Sequence, residues 1–205
     1  MKTILSWSLL AIIICSGIVT AQEPDVNTFK PKNQVGFVFS MAETGSGLGG
    51  FISWPLFGRM HFGFSLDVYF LRDSNQIDFI TWNGVPASIN KKNNVYLFDA
   101  MLNLKRRFFE DDLDDSFRPF LAAGIGPYYG INFPESNQTD SGVPLSDQYL
   151  WTVGGYLGAG VDISVNEKLF IGIRGNYRIV PFSDYLGERE NHSMFELRFE
   201  IGQRY

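Results

Sequence analysis

Cysteine is almost absent from this chain of 205 residues, and the single one is Cys15. Beyond that position the chain can form no disulfide and no site in which thiolates hold a metal ion. Histidine is nearly as scarce, because His61 and His192 are the only two. A long apolar run is missing as well, since the stretch 9–14 is too short for a membrane-spanning helix. We therefore expect neither a metal centre nor a cofactor.

Basic residues are outnumbered, with 17 lysines and arginines against 22 aspartates and glutamates and a formal charge of −5. Residues 1–21 have the form of a signal peptide, with Lys2 at the start, the apolar stretch 9–14 and small residues before a cut at Gln22. Its removal changes the charge from −5 to −6, and this acidic balance argues against a nucleic-acid partner. We expect Sec export, a periplasmic lead-in at 22–33 and one domain at 34–205.

Aromatic residues make up 16% of the chain and glycines number 21, a composition that favours strands, and no helical apolar period follows residue 22. Apolar and polar residues alternate in eight segments, as in half-buried strands. These predicted strands cover about 34–43, 50–57, 60–71, 95–105, 118–131, 149–163, 169–179 and 194–205. The glycine-rich stretch 44–50 is predicted to be a turn, and Asn83-Gly84 a type I′ turn between strand extensions at 78–82 and 85–89. The fold class expected is an all-β, eight-stranded, antiparallel up-and-down barrel.

A soluble lipocalin-like barrel would show the same alternation, with its apolar side chains inside. The polar rows of this chain, however, are largely Gly, Ala and Ser with isolated charges, which suits a narrow lumen better than a water-facing sheet. Ten charged residues fall on these polar rows: Asp67, Asp99, Lys105, Arg118, Asp162, Arg174, Arg178, Glu196, Arg198 and Glu200. The pattern therefore predicts a transmembrane barrel with lipid outside and a neutralised charge network in the lumen. We expect the three arginines 174, 178 and 198 to pair with the acids 67, 162, 196 and 200.

The last predicted strand, 194–205, carries Phe199, Ile201 and Tyr205 on its apolar row. It resembles the C-terminal assembly signal of bacterial outer-membrane barrels, which usually ends in Phe, with Tyr205 in that place. The resemblance implies recognition by the barrel-assembly machinery during biogenesis.

The glycine-punctuated segments 117–129 (FRPFLAAGIGPYY), 153–163 (VGGYLGAGVDI) and 170–177, together with the terminal strand, extend this resemblance. Residues 34–205 resemble the small bacterial outer-membrane β-barrels of the OmpA/OmpX transmembrane-domain type, and more closely the PorT-like barrels. The resemblance implies an outer-membrane location, lipid and lipopolysaccharide as surroundings, and a monomer.

Several functions are compatible with such a barrel. The leading interpretation is a non-enzymatic protein whose outer loops bind a surface ligand or partner, or support the envelope. The alternatives are a lipid A-modifying enzyme and a component of a secretion or gliding machine. The pair His192-Ser193 is a poor catalytic candidate, because neighbouring strand residues point to opposite faces. The acidic stretch 110–115 lacks the ligand spacing of a calcium loop and is predicted to be a solvated turn.

Overall fold

The computed structural model describes residues 32–72, 77–89, 93–108, 117–134, 146–187 and 189–205. The predicted signal peptide, residues 22–31 of the lead-in and the acidic stretch 110–115 lie outside the described residues. Within these ranges, no helix has the length and apolar character needed to cross a membrane.

The described residues form twelve strands. They are β1 (Gln34–Ala42), β2 (Gly45–Pro55), β3 (Met60–Leu71), β4 (Ile77–Ile80), β5 (Pro86–Ile89), β6 (Asn93–Arg107), β7 (Phe117–Pro134), β8 (Gln148–Ser164), β9 (Leu169–Ile179), β10 (Pro181–Leu186), β11 (Arg189–Asn191) and β12 (Met194–Arg204). Eight of them close into a barrel in the order β1-β12-β9-β8-β7-β6-β3-β2, and every pair is antiparallel. The predicted eight-stranded up-and-down barrel is confirmed.

The barrel has two ends that differ in their connections. At one end, called the terminus end, lie Gln34, Arg204, the turns 56–59 and 165–168, and the two strand ends that the connection between β6 and β7 joins. At the other, called the loop end, lie the turn Glu43-Thr44 and the strand ends that are joined by the connections between β3 and β6, between β7 and β8 and between β9 and β12. The two additional sheets, β4-β5 and β10-β11, belong to two of the loop-end connections.

The glycine-rich stretch that was predicted to be a turn lies inside β2, so this prediction is wrong. Its residues pair with β1 on one side and with β3 on the other, and the real turn is Glu43-Thr44. A Cβ at Gly49 would overlap Oδ1 of Asp67 and the carbonyl oxygen of Leu66. Glycine is needed at this position because the Asp67 side chain and the backbone of β3 pass close to the Gly49 Cα atom.

The hairpin β4-β5 forms as predicted, but its turn is of another type. The Thr81 N–H donates to the Val85 carbonyl at 2.9 Å, and the Gly84 N–H donates to the Thr81 carbonyl at 2.8 Å. The loop therefore holds three residues, and Gly84, at φ 79°, closes it in the left-handed region. This is a three-residue hairpin loop, in which only the last position demands positive φ, and not the predicted two-residue type I′ turn.

The last connection, between the predicted strands 169–179 and 194–205, contains β10 and β11 and turns apolar side chains into the barrel. Together with residues of the barrel wall these side chains form an apolar core near the loop end, called the loop-end core. Its members include Leu71, Val95, Leu97, Val180, Phe182, Leu186 and Met194, all buried. A lumen filled by small residues and charges alone was expected, so the apolar part of the filling was missed.

Candidate functional site

The outer surface of the barrel is apolar along the whole of its strands. Large exposed hydrophobic side chains such as Phe37, Leu66 and Val153 alternate with inward residues on every barrel strand. Among the outward positions of the eight strands, the only charged residue is Arg106, close to the terminus end of β6. The exterior therefore lacks the lysines and glutamates that a water-facing sheet carries.

Aromatic rings gather near both rims of this surface. At the loop end a row crosses β3, β6, β7 and β8, and its ring centroids are 5.7, 6.1 and 6.4 Å apart: Phe70, Tyr96, Phe133 and Tyr149. Below this row the Tyr129 and Trp151 centroids are 4.4 Å apart. Near the terminus end the Trp54 and Phe62 rings stack at 6.4 Å.

The structure places all ten charged side chains of the predicted network inside the barrel, each at most 9% exposed. It also places His61, Arg107 and Arg204 there, which sequence reasoning did not include. Arg204 shares the parity of Arg198 and Glu200 in the terminal strand, so the alternation contained the signal for it. Arg107 lies beyond the predicted end of its strand and was missed for that reason.

Arg178 is the centre of the ion-pair network. Its Nε lies 2.5 Å from Glu196 Oε2, its Nη1 lies 2.6 Å from Asp99 Oδ2, and its Nη2 lies 3.6 Å from Asp67 Oδ2. The guanidinium also sits over the Tyr69 ring, 4.7 Å from the centroid. One fully buried arginine thus holds three carboxylates, as its fork of donors allows.

Arg198 links this centre to the terminus-end half of the lumen. Its Nη1 lies 2.8 Å from Asp67 Oδ2, and its Nε lies 3.1 Å from Glu200 Oε1. Arg174 Nη2 lies 3.3 Å from the same Glu200 oxygen. The expected pairings of these arginines with residues 67, 196 and 200 are therefore present as short contacts.

Asp162 was expected to pair with one of these arginines, but its close partners lie on β6. Its Oδ1 is 3.0 Å from Lys105 Nζ and its Oδ2 is 3.1 Å from Arg107 Nη2. Arg118, on the adjacent strand, is the register partner of Asp162 and is buried. The observed partner differs from the expected one because Arg107, which the sequence analysis had not placed in the lumen, is within reach of the Asp162 carboxylate.

Neutral donors complete the network around Glu196. This carboxylate accepts from the Tyr69 hydroxyl at 2.9 Å, from Asn176 Nδ2 at 3.1 Å and from the Ser40 hydroxyl. The Tyr128 hydroxyl accepts from Arg178 Nη1 at 2.9 Å. Ion pairs and hydrogen bonds from six barrel strands (β1, β3, β6, β7, β9 and β12) therefore meet in the middle of the lumen and fill it.

The histidine and serine near β12 do not form a catalytic pair. His192 is buried, and its Nε2 donates to the Leu186 carbonyl at 3.1 Å, while Ser193 Oγ accepts from the Val180 N–H at 3.0 Å. Burial lowers the pKa of His192 below its usual 6.5, with the charge of Arg189 adding to the effect. In the described ranges, no group of three His, Cys, Asp or Glu side chains could hold a metal ion.

The terminal strand closes the barrel by pairing with β1 from Gln34↔Arg204 to Ala42↔Glu196. Phe199, Ile201 and Tyr205 lie on its outer side, where Phe199 stacks on Phe39 at 6.5 Å between centroids. Their role as an assembly signal stays a prediction.

The solved structures that share this architecture include two small barrels from bacteria. Neisserial surface protein A is 12% identical, with a TM-score of 0.58 over 84% of this chain and 96% of its own. The N-terminal β-barrel domain of OprF from Pseudomonas aeruginosa is 14% identical, with a TM-score of 0.53 over 85% of this chain and 97% of its own. The chain has the fold of the small outer-membrane barrels. No protein-family model and no curated protein sequence matches this outer-membrane-type barrel.

Proposed function

We propose that this chain is an integral outer-membrane protein that presents its loop end at the cell surface and acts there by binding, without catalysis and without conducting solutes. The observation that carries the proposal is the distribution of charge. Twelve charged side chains are buried in the lumen, whereas the outward positions of the eight strands carry Arg106 alone.

This distribution supports a hydrocarbon exterior on energetic grounds. An arginine or lysine on the lipid face near the bilayer centre costs about 2–4 kcal/mol, and the cost falls toward the interfaces, where Arg106 would lie. The closed ladder leaves no strand edge unpaired, as a β-structure in lipid requires. The aromatic rows near both rims correspond to the girdles that transmembrane barrels place at their interfaces.

A filled lumen supports the absence of conduction. The Arg178 network blocks the middle of the barrel, and the loop-end core, including Phe182 and Leu186, fills the lumen above it. Eight-stranded barrels have interiors just wide enough for side chains. The same filling supports a non-enzymatic role, because described side chains occupy the middle of the lumen, where a lipid substrate would have to bind.

In this proposal the signal peptide directs export and the terminus end faces the periplasm. Lipid and lipopolysaccharide surround the apolar wall, and the assembly machinery recognises β12. The closed ladder supports a monomer, since it offers no edge to a second copy. The hairpin β4-β5 then lies outside the cell, and its Trp82 is 99% exposed.

Cysteine labelling of whole cells tests membrane insertion and orientation together. The predicted mature chain has no cysteine, so Trp82→Cys and Glu167→Cys each supply a single thiol, one at each end of the barrel. We expect a membrane-impermeant maleimide to label Trp82→Cys on intact cells and Glu167→Cys only after lysis. Labelling of both variants, or recovery of the protein in the soluble periplasmic fraction, would contradict the proposal.

Planar bilayers test the filled lumen. Purified wild-type protein is expected to give no stable conductance step of the size that open porins produce. A long-lived aqueous channel in the wild type would mean that the Arg178 network does not close the lumen.

A further inference from the structure

A small cavity of about 30 Å³ lies inside the barrel, toward the terminus end. This volume has room for one or two water-sized species. The charged and polar side chains that line it include Gln34, His61, Lys105, Arg174, Arg198 and Glu200. The cavity therefore lies beside the ion-pair network but is not filled by it.

Three of these side chains carry a buried nitrogen without a hydrogen-bond partner among the described residues: Nε2 of Gln34, Nδ1 of His61 and Nε of Arg174. Their side chains belong to residues that are 1%, 2% and 5% exposed. Burying a polar group without a partner is costly, so each of these atoms calls for an explanation.

All three nitrogens are donors. The Gln34 amide oxygen already accepts from Ser53 Oγ at 3.3 Å, which leaves the NH₂ group unpaired. Nε2 of His61 lies 3.1 Å from Arg107 Nη1, and a guanidinium can only donate. His61 therefore accepts at Nε2 and carries its proton on Nδ1. Arg174 Nε is an N–H group at any ordinary pH.

The acceptors around the cavity, in contrast, are already paired. Glu200 Oε1 lies 3.1 Å from Arg198 Nε and 3.3 Å from Arg174 Nη2, and its Oε2 lies 3.7 Å from Lys105 Nζ. No acceptor atom of a lining residue is among the buried atoms without a partner in the described chain. The lining thus offers unpaired donors. It also carries three cationic side chains (Lys105, Arg174 and Arg198) but only one carboxylate, that of Glu200.

We propose that this cavity binds a single monatomic anion of the halide class, with chloride as the physiological ion. A water molecule would accept from these donors, but it would also need acceptors for its own hydrogens. A halide only accepts, and its charge offsets the cationic lining. Sulfate and phosphate ions are several times larger than water and need more space than one or two water-sized species do.

The charge balance of the lumen is consistent with an anion. The described buried groups include seven basic residues (105, 107, 118, 174, 178, 198 and 204) and five acidic ones (67, 99, 162, 196 and 200), so the difference is 7 − 5 = +2. Arg107 lies nearer the terminus end than the lining residue Lys105 of the same strand, and Arg204 lies level with Gln34 at that end. Their charge favours entry of an anion from that end.

Bromide, which replaces chloride and scatters anomalously, is the direct probe. Crystals of the detergent-purified mature protein are grown with sodium bromide as the only halide. We expect one anomalous peak inside the barrel, within about 3.5 Å of the Gln34 amide nitrogen, as for a hydrogen-bonded acceptor. Gln34→Glu places a carboxylate in the cavity and should abolish the peak. The matched variant Gln203→Glu, on the outer side of β12, should keep it.

Stability in solution gives a second readout. Urea unfolding is measured at constant ionic strength while chloride replaces gluconate, which is too large for the cavity. At a chloride concentration ten times the Kd, the ratio of folded to unfolded protein should rise about elevenfold, and above the Kd it should rise in proportion to the chloride concentration. Gln34→Glu should remove this dependence and Gln203→Glu should not. Density without an anomalous signal in the wild type, or equal chloride dependence in the wild type and Gln34→Glu, would overturn the proposal.

Discussion

The two halves of the barrel interior differ in the chemistry that dominates their filling, although apolar side chains such as Phe120 and Phe170 are buried in the charged half as well. Toward the loop end, Leu97, Phe182 and Leu186 pack in an apolar core to which the last connection contributes. In the middle and toward the terminus end, charged side chains centred on Arg178 and Arg198 bridge the strands. Both halves are equally buried, so burial alone does not distinguish them.

The difference lies in how each half responds to the loss of one side chain. Apolar contacts are many, weak and non-directional, and neighbours can partly close a gap. An ion pair in a dry interior depends on both members, because removing one leaves a buried charge. We therefore expect the loss of one side chain to lower the stability of the barrel more in the charged half than in the apolar half.

The largest effect is expected for Arg178→Ala. This substitution leaves the carboxylates of Asp67, Asp99 and Glu196 without their common partner, and breaking a buried pair from one side typically costs about 3–5 kcal/mol. The urea midpoint, read from the gel mobility of unheated samples, should fall accordingly. Lys168→Ala, in an exposed turn of the terminus end, is the control and should leave the midpoint unchanged. Equal midpoints for the two variants would show that the network does not stabilise the fold.

A smaller and more local effect is expected for Leu186→Ala in the loop-end core. We expect a loss of about 2–3 kcal/mol, in the lower range for a buried leucine, because the connection at the barrel mouth can settle into the gap. Hydrogen exchange should quicken in β10 and β11 more than in the barrel strands. Tyr185→Ala, the exposed neighbour, serves as the control. Uniformly faster exchange in all strands would mean that the two halves unfold as one unit.

A double-mutant cycle on Asp67 and Arg198 measures the coupling within the charged half. Their atoms are 2.8 Å apart, so the double substitution to alanine should cost about 1–3 kcal/mol less than the sum of the single ones. Arg198→Ala combined with Leu186→Ala, from opposite halves, should be additive within about 0.5 kcal/mol. Strong coupling in the second pair would erase the distinction between the halves.

The smallest effect concerns His192, the titratable group beside the loop-end core. Burial lowers its pKa, so the folded connection binds a proton less readily than the unfolded chain does. The stability that His192 contributes is complete above pH 6.5 and declines as the pH falls below that value. The imidazole NMR signal of His192 should report a neutral ring at pH values somewhat below 6.5. The His192→Gln variant lacks this signal and so distinguishes it from the signal of His61. Half-protonation at or above pH 6.5 would show that the ring is hydrated.

The fold followed from the sequence because one rule, the alternation of faces, holds in almost every strand. Met194–Arg204 shows it best, with charges on one parity and large apolar residues on the other. The rule failed at Gly45–Gly50, since glycine fits a turn and a crowded strand equally well. It also gave no warning of the loop-end core, because alternation says nothing about connections.

The membership of the lumen network was largely predictable, but its pairing was not. Alternation assigns a side chain to a face, which is why Asp99 and Arg178 could both be placed inside. Their contact joins residues 79 positions apart in the chain. It depends on the stagger of the closed barrel and on rotamers, which a single sequence does not contain. For the same reason, a single sequence could not predict the partners of Asp162 or the cavity beside Gln34.

In the proposed membrane setting, the aromatic rows on the outer wall would give the barrel a preferred bilayer thickness. Phe62 and Phe70 lie on β3 near opposite rims. Their eight-residue separation spans about 27 Å along a strand at ~3.4 Å per residue, or roughly 20 Å once the strand is tilted by the ~35–45° usual for such barrels. In a thicker bilayer the lipid must compress or the rings must leave the interface, and each ångström of hydrophobic mismatch costs a fraction of a kcal/mol. A membrane-inserted wall of this height would therefore favour thin membranes, independently of any signal that is read by a receptor.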